Sequence, residues 1–120
     1  MFLAFGALLA AVAVGLGAFG AHGLKARLSA DMLAVWHTAV QYHAWHAFGL
    51  LAVGFLEPSA WSKAAGVLLL VGIALFSGSF YALALGAPRS LGMVTPFGGL
   101  AFIAGWVSFA LAVIFARTPA

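Results

Sequence analysis

The ionised side chains of this chain are few and widely spaced. Its 120 residues contain five lysines and arginines and two acidic residues. They are Lys25, Arg27, Asp31, Glu57, Lys63, Arg89 and Arg117. Between them lie four charge-free stretches, which are residues 1–24, 32–56, 64–88 and 90–116. Each stretch reaches the roughly 20 residues that a helix needs to cross about 30 Å of hydrocarbon, so the pattern predicts four membrane crossings.

The composition excludes the main alternative classes. Hydrophobic residues make up 66% of the chain and charged residues 6%, whereas about a quarter of the residues in a soluble domain are charged. A soluble helix bundle would need polar outer faces, and a membrane β-barrel would show alternating polarity. The basic residues form no patch of the kind that nucleic acid requires, so no nucleic-acid partner is predicted.

We therefore predict an all-α fold, an integral membrane bundle of four antiparallel transmembrane helices with short loops. Residues 1–120 are predicted to form a single domain, with membrane spans at about 2–21, 33–56, 62–86 and 96–116. No lysine or arginine precedes the first apolar stretch, and this favours a retained span over a signal peptide. The expected location is the cell (inner) membrane, with several crossings.

Residues that suit helix ends support these bounds. Ser29, Ser59 and Thr95 are candidate N-caps, and Pro96 suits the first position of the fourth helix. Trp36 stands on the first turns of the second helix, so we expect it to anchor in the headgroup region.

Small residues recur three or four apart along two of the predicted helices. On the first helix these are Gly6, Ala10, Ala13, Gly17 and Gly20, and on the fourth they are Gly98, Ala101, Gly105, Ser108 and Ala112. Such stripes allow helix backbones to approach closely in lipid. Because they exceed the internal needs of four short helices, we predict a homo-oligomer or a place in a larger membrane complex.

Polar residues concentrate in one half of the predicted membrane region. At about 1.5 Å per residue, six of them lie between the midplane and one surface. These are His46, Tyr42, His43, Ser77, Tyr81 and Trp106, with His22, Arg89 and Thr95 above them as a surface mouth. His46 is the deepest histidine, on a helix stripe that faces other helices, and it is costly there without a partner. The deep Trp106 indole should need a hydrogen-bond acceptor.

Three interpretations of this polar cluster stay open. Its members could form interhelical hydrogen bonds, they could line a site for a proton or small polar molecule centred on His46, or the histidines could ligate haem. A closed metal site would need a second subunit, since no carboxylate is available. Hydrolysis is disfavoured because no membrane-embedded acid orients a histidine. We therefore assign no catalytic residue, metal or cofactor.

Several short motifs resemble those of a known family. They are residues 17–24 (GAFGAHGL), residues 42–47 (YHAWHA), residues 76–81 (FSGSFY), residues 95–99 (TPFGG) and Gly105 with Trp106. Together they are similar to the small membrane proteins grouped with transmembrane protein 256, also called domain of unknown function 423. The resemblance covers nearly the whole chain. It implies four spans in a bacterial inner membrane or an organelle membrane, and it supplies no activity.

The function expected from the sequence is that of a non-enzymatic integral membrane protein, a packing, accessory or self-associating component. The alternatives are a conduit or binding site for a proton or small polar molecule at His46, and a histidine-ligated haem redox subunit.

Overall fold

A computed structural model describes residues 1–116, and every regular element within them is helical. The elements are α1 (Phe2–His22), α2 (Ala30–Gly54), α3 (Ala60–Gly72), a π-helical turn (Ile73–Ser77), α4 (Gly78–Ala84), a 3-10 turn (Arg89–Met93) and α5 (Thr95–Ala116). The predicted all-α class is confirmed. Arg117, which the sequence places beyond the fourth helix, lies outside the described residues.

Two of the predicted helix starts are confirmed and one is wrong. The Ser29 side chain accepts a hydrogen bond from the Met32 N–H at the start of α2. Ser59 caps α3 through reciprocal hydrogen bonds with Ser62. Thr95 is instead the first residue of α5, and its hydroxyl oxygen lies 2.5 Å from that of Ser79. The 3-10 turn leads almost directly into α5, so backbone carbonyls accept the first N–H bonds and a side-chain cap is not required.

Three helical segments are long and apolar enough to cross a membrane, and they are Phe2–His22, Ala60–Ala84 and Arg89–Ala116. The remaining helix, α2, has 25 residues but is more polar. Its polar residues include His37, Gln41, His43 and His46. Eight residues of α2 are buried, two of these histidines among them, so α2 is the helix around which the others pack.

The small residues of α1 bring it against α2. Gly6 lies beside the backbone of α2 at Ala47 and Leu51, where an added Cβ would stand 3.0 and 2.9 Å from their backbone atoms. Gly20, at the other end of α1, lies under the Trp36 ring. Early residues of α1 thus meet late residues of α2, and late residues of α1 meet early ones.

The small residues of α5 face the segment Ala60–Ala84 in the same way, and we call this segment, which follows α2, the third segment. All five predicted stripe residues of α5 are buried. A Cβ on Gly98 would stand 2.8 Å from the Phe76 Cα, and one on Gly105 would stand 2.9 Å from a Leu69 methyl group. Both predicted stripes therefore pack against helices of the same chain, so they offer no free surface to a partner helix.

The centre of the molecule is an apolar cluster where α2, the third segment and α5 meet. Its buried members are Leu50, Val53, Ala65, Leu69, Ile73 and Phe102. The π-helical turn directly follows α3 and interrupts the regular helix at this level. Such turns shift the faces of the residues that follow them, and this one precedes the polar residues of α4.

Candidate functional site: the polar cluster between the helices

His43 and Tyr81 form a buried polar pair between α2 and α4. The His43 side chain is 3% exposed, and its Nδ1 lies 2.7 Å from the Tyr81 hydroxyl oxygen. Its other ring nitrogen, Nε2, is buried and has no hydrogen-bond partner within residues 1–116. Because a buried polar atom without a partner is unfavourable, this nitrogen is the least satisfied group of the cluster.

Trp36 extends this pair towards α1. Its indole N–H donates to the Leu16 carbonyl oxygen at 2.9 Å, and its ring lies 4.7 Å from the Tyr81 ring, measured between centroids. Trp36 is 2% exposed, so the prediction that it anchors in the headgroup region is wrong. Gly20 has no side chain, and this leaves the space that the indole occupies against α1.

His46 lies in an aromatic environment on the other side of α2. Its ring stacks on Phe102 at 3.5 Å between centroids and an interplanar angle of 12°. Its Nδ1–H donates to the Tyr42 carbonyl oxygen at 2.6 Å, one turn earlier in the same helix. The prediction that the His46 stripe faces other helices is confirmed, since His46 is 6% exposed. Its polar bond is local to α2, and its contact with α5 is a ring stack.

Ser77 and Ser79 bond the third segment to its two neighbours. The fully buried Ser77 hydroxyl donates to the Ala39 carbonyl oxygen of α2 at 2.8 Å. The Ser79 hydroxyl donates to the Phe76 carbonyl oxygen at 2.9 Å and lies 2.5 Å from the Thr95 hydroxyl of α5. Each serine thus satisfies its own polar group while joining two helices.

Trp106 stands apart from these hydrogen bonds. It is 41% exposed, and its indole N–H has no acceptor within the described residues, so the expected hydrogen bond stays a prediction. Its ring lies 5.8 Å from that of His46 and covers Gly49. The absence of a side chain at Gly49 leaves room for the six-membered edge of the indole against α2.

The predicted mouth residues occupy separate environments. Thr95 is buried against Ser79, whereas His22 and Arg89 are exposed. Arg89 borders a cavity of about 500 Å³ that neither His22 nor Thr95 lines. A second cavity, of about 350 Å³, lies at the opposite end beside Lys63. No histidine or tyrosine of the cluster lines either cavity.

The chemistry available to this cluster is hydrogen bonding by neutral groups. Both acidic residues of the first 116 lie outside it, at Asp31 and Glu57. No three potential metal ligands come together in the described part of the chain. The cluster therefore offers hydroxyl, indole and imidazole groups as hydrogen-bonding groups, and the His43 Nε2 is the buried side-chain atom that has no partner in the described part of the chain.

Sequence reasoning missed three members of the cluster. Trp36 was assigned to the headgroup region, and Ser79 and the Ala39 carbonyl were not considered. Ser79 could have been found from its spacing of two from Ser77. The pairing of Trp36 with Gly20 leaves no sequence signal, because it depends on how two helices are aligned.

We expect Tyr81→Phe to lower the free energy of unfolding by about 1–2 kcal/mol, since it leaves both His43 ring nitrogens without partners. Tyr42→Phe is the matched control, because the Tyr42 hydroxyl has no hydrogen bond within residues 1–116. Its effect should be below about 0.5 kcal/mol. Titration of both variants from mild detergent into dodecyl sulfate measures the difference, and equal losses would contradict the assigned pair.

Comparison with known proteins places this chain among bacterial membrane proteins. The model of the family described as "Protein of unknown function (DUF423)" matches residues 16–99. The chain is 47% identical to the UPF0382 membrane protein YwdK of Bacillus subtilis, over 95% of this chain and 96% of that protein. It is 49% identical to a UPF0382 membrane protein of Staphylococcus saprophyticus, over 89% of this chain and 91% of the relative. No solved structure matches the chain.

Proposed function

Since the chain belongs to the DUF423 family of membrane proteins, we propose that it is a non-enzymatic, self-associating membrane component in which α1 supplies the contact with a second copy. The observation that carries this proposal is a stripe of small residues on the exposed side of α1. Its members are Ala4, Ala7, Ala11, Gly15 and Ala18, all exposed.

This outer stripe is distinct from the one that packs on α2. At 100° per residue, its members lie almost diametrically opposite the buried Gly6, Ala13 and Gly20. An added Cβ at Gly15 would meet no atom within 4 Å. Small residues allow close approach of helices where lipid gives little hydrophobic drive, so this side of α1 suits a partner helix.

The four-crossing bundle with antiparallel neighbours is part of the proposal. Three segments are apolar enough to span by composition, and α2 is the fourth. A helix of 25 residues is about 37 Å long, enough for the hydrocarbon layer. Its buried histidines face the protein and not lipid, which lowers the cost of a polar crossing.

The absence of catalysis is supported by how the polar groups are used. The hydroxyls of Ser77, Ser79 and Tyr81 and the indole N–H of Trp36 are each engaged in a bond that joins two helices. A general base would need an orienting group, and within residues 1–116 the partners of His43 and His46 are a tyrosine hydroxyl and a backbone carbonyl, not a carboxylate. The arrangement is typical of structural hydrogen bonding in membrane proteins.

Gly15→Leu tests the proposed contact. We expect the wild-type chain to form a dimer or larger species in mild detergent, and we expect the leucine to raise its dissociation constant by at least about tenfold, because the side chain blocks close approach. Ala104→Leu, an exposed small-to-large change on α5, should leave the dissociation constant unchanged. Mass measurement across a dilution series distinguishes them. A monomeric wild type, or equal effects of both variants, would overturn the proposal.

A second candidate function is a site for a proton or a small polar molecule, and one observation favours it. Within residues 1–116 the buried His43 Nε2 has no hydrogen bond of good geometry, although the Leu9 backbone lies near the ring, so this nitrogen is available to a small polar molecule. The centre of such a site would be His43, whereas the sequence pointed to His46. A proton flux in liposomes that is abolished in folded His43→Phe protein would favour this alternative.

The haem hypothesis gains no supporting contact and stays a prediction that a visible absorption spectrum tests.

A further inference from the structure

A groove between α2 and α4 combines apolar walls with one cationic edge. Its lining residues are Met32, Val35, Phe80, Leu83, Ala87 and Arg89, and its volume is about 500 Å³. We call it the Arg89 groove. Met32 and Val35 stand on the first two turns of α2, and Phe80 and Leu83 on α4. The groove therefore runs from the ionised end of the bundle into its apolar part.

Arg89 has no partner among residues 1–116 that would neutralise it. It is exposed, and the described residues give it no ion pair or hydrogen bond. Among residues 1–116, Asp31, which precedes the groove residue Met32, is the only acid at this end, and it forms no ion pair with Arg89. Lys25 and Arg27 lie in the loop that precedes α2 at the same end.

The two ends of the bundle differ in net charge. Three cations and one carboxylate leave it with a net charge of +2, counting His22 as neutral. At the opposite end the smaller cavity has Lys63 and Met1 in its lining, and Glu57 offsets one of the two charges of the Lys63 side chain and the N-terminal amine, which leaves +1 within residues 1–116. An anion is thus favoured more strongly at the Arg89 end, which carries the larger excess of positive charge.

We propose that the Arg89 groove binds an anionic phospholipid, with the headgroup phosphate on Arg89 and an acyl chain along the apolar walls. The planar guanidinium donates two parallel hydrogen bonds to phosphate oxygens, a geometry that lysine cannot reproduce. A free phosphate ion would leave five apolar lining residues uncovered. A lipid molecule covers them with its acyl chain while its phosphate binds the Arg89 guanidinium.

Native mass spectrometry of the full chain, equilibrated with phosphatidylglycerol or phosphatidylcholine in detergent micelles, tests the proposal. We expect Arg89→Gln to reduce retention of phosphatidylglycerol by about tenfold and to leave retention of phosphatidylcholine unchanged. Lys63→Gln, the matched change at the opposite end, should alter phosphatidylglycerol retention less than about twofold. Because Arg89 is exposed and unpaired, its substitution should not change the melting temperature.

Two further experiments distinguish a bound lipid from other occupants of the groove. Leu83→Trp fills the groove without touching the charge, and it should also lower phosphatidylglycerol retention. Inorganic phosphate at millimolar concentration should displace little lipid. The proposal is overturned if Arg89→Gln retains phosphatidylglycerol as the wild type does, if both cation variants lose it equally, or if phosphate alone displaces it. Loss of phosphatidylglycerol only when a dimer dissociates would assign the groove to a second copy of the chain, which also overturns it.

Discussion

Gly98→Ala is expected to lower the free energy of unfolding by about 3 kcal/mol, although it adds a single methyl group. The new Cβ would overlap the backbone nitrogen of Phe76 and stand 2.8 Å from the Phe76 Cα. Backbone cannot rotate aside as a side chain does, so α5 must move away from the third segment. Separation of these helices would loosen the Gly105 contact with Leu69 as well.

Gly99→Ala is the matched control for this prediction. It lies next to Gly98 in the same helix, and its added Cβ would come no closer than 4.0 Å to Phe76. Replacing a helical glycine by alanine gains about 0.5–1 kcal/mol, so this variant should be neutral or slightly more stable. Dodecyl sulfate titration measures the unfolding free energy of both variants. The gain in helix propensity is the same in both, so it cancels when the two values are subtracted. Equal stabilities would show that α5 does not pack on Phe76 as described.

Trp36→Ala is expected to cost about 4 kcal/mol, the second large effect. The substitution removes a fully buried ring that packs on Gly20, Phe19 and Tyr81, and it removes the donor to the Leu16 carbonyl. Trp36→Phe should cost less, since a ring remains and only part of the volume and the N–H are lost.

Trp45→Ala provides the comparison. Trp45 stands on the same helix but is 49% exposed, so its removal should cost about 1 kcal/mol or less. If Trp36 were a headgroup anchor, the two substitutions would have similar effects on the unfolding free energy. Similar losses for both would therefore restore the interpretation that the structure contradicts.

Trp36 and Gly98 show that shape, more than polarity, holds this protein together. At both positions a glycine on one helix meets a bulky group or the backbone of another at close range. The interhelical hydrogen bonds of Ser77, Ser79 and Tyr81 add to this packing. Each such bond contributes on the order of 0.6 kcal/mol in a membrane, which is small beside the loss expected for a backbone clash.

The sequence by itself determined the helical class, the membrane setting and two of the helix caps. A long charge-free stretch in lipid is stable as a helix, because every backbone polar group there must be hydrogen-bonded within its own segment. Ser29 and Ser59 act locally, within three residues, so their roles could be read directly. The small-residue stripes were also visible in the sequence, and the contacts of α1 and α5 confirm that they face other helices.

Only the tertiary structure decided which partner each polar or aromatic side chain meets. In a soluble helix the polar face marks the outside, but α1 and α5 are apolar all round, so the periodicity of polarity does not fix their rotation. The pairing of His43 with Tyr81, the burial of Trp36 and the outward position of Trp106 follow from how bulky groups fit against glycines on neighbouring helices. That fit depends on helix register and on the π-helical turn before α4, and neither is encoded within a single segment.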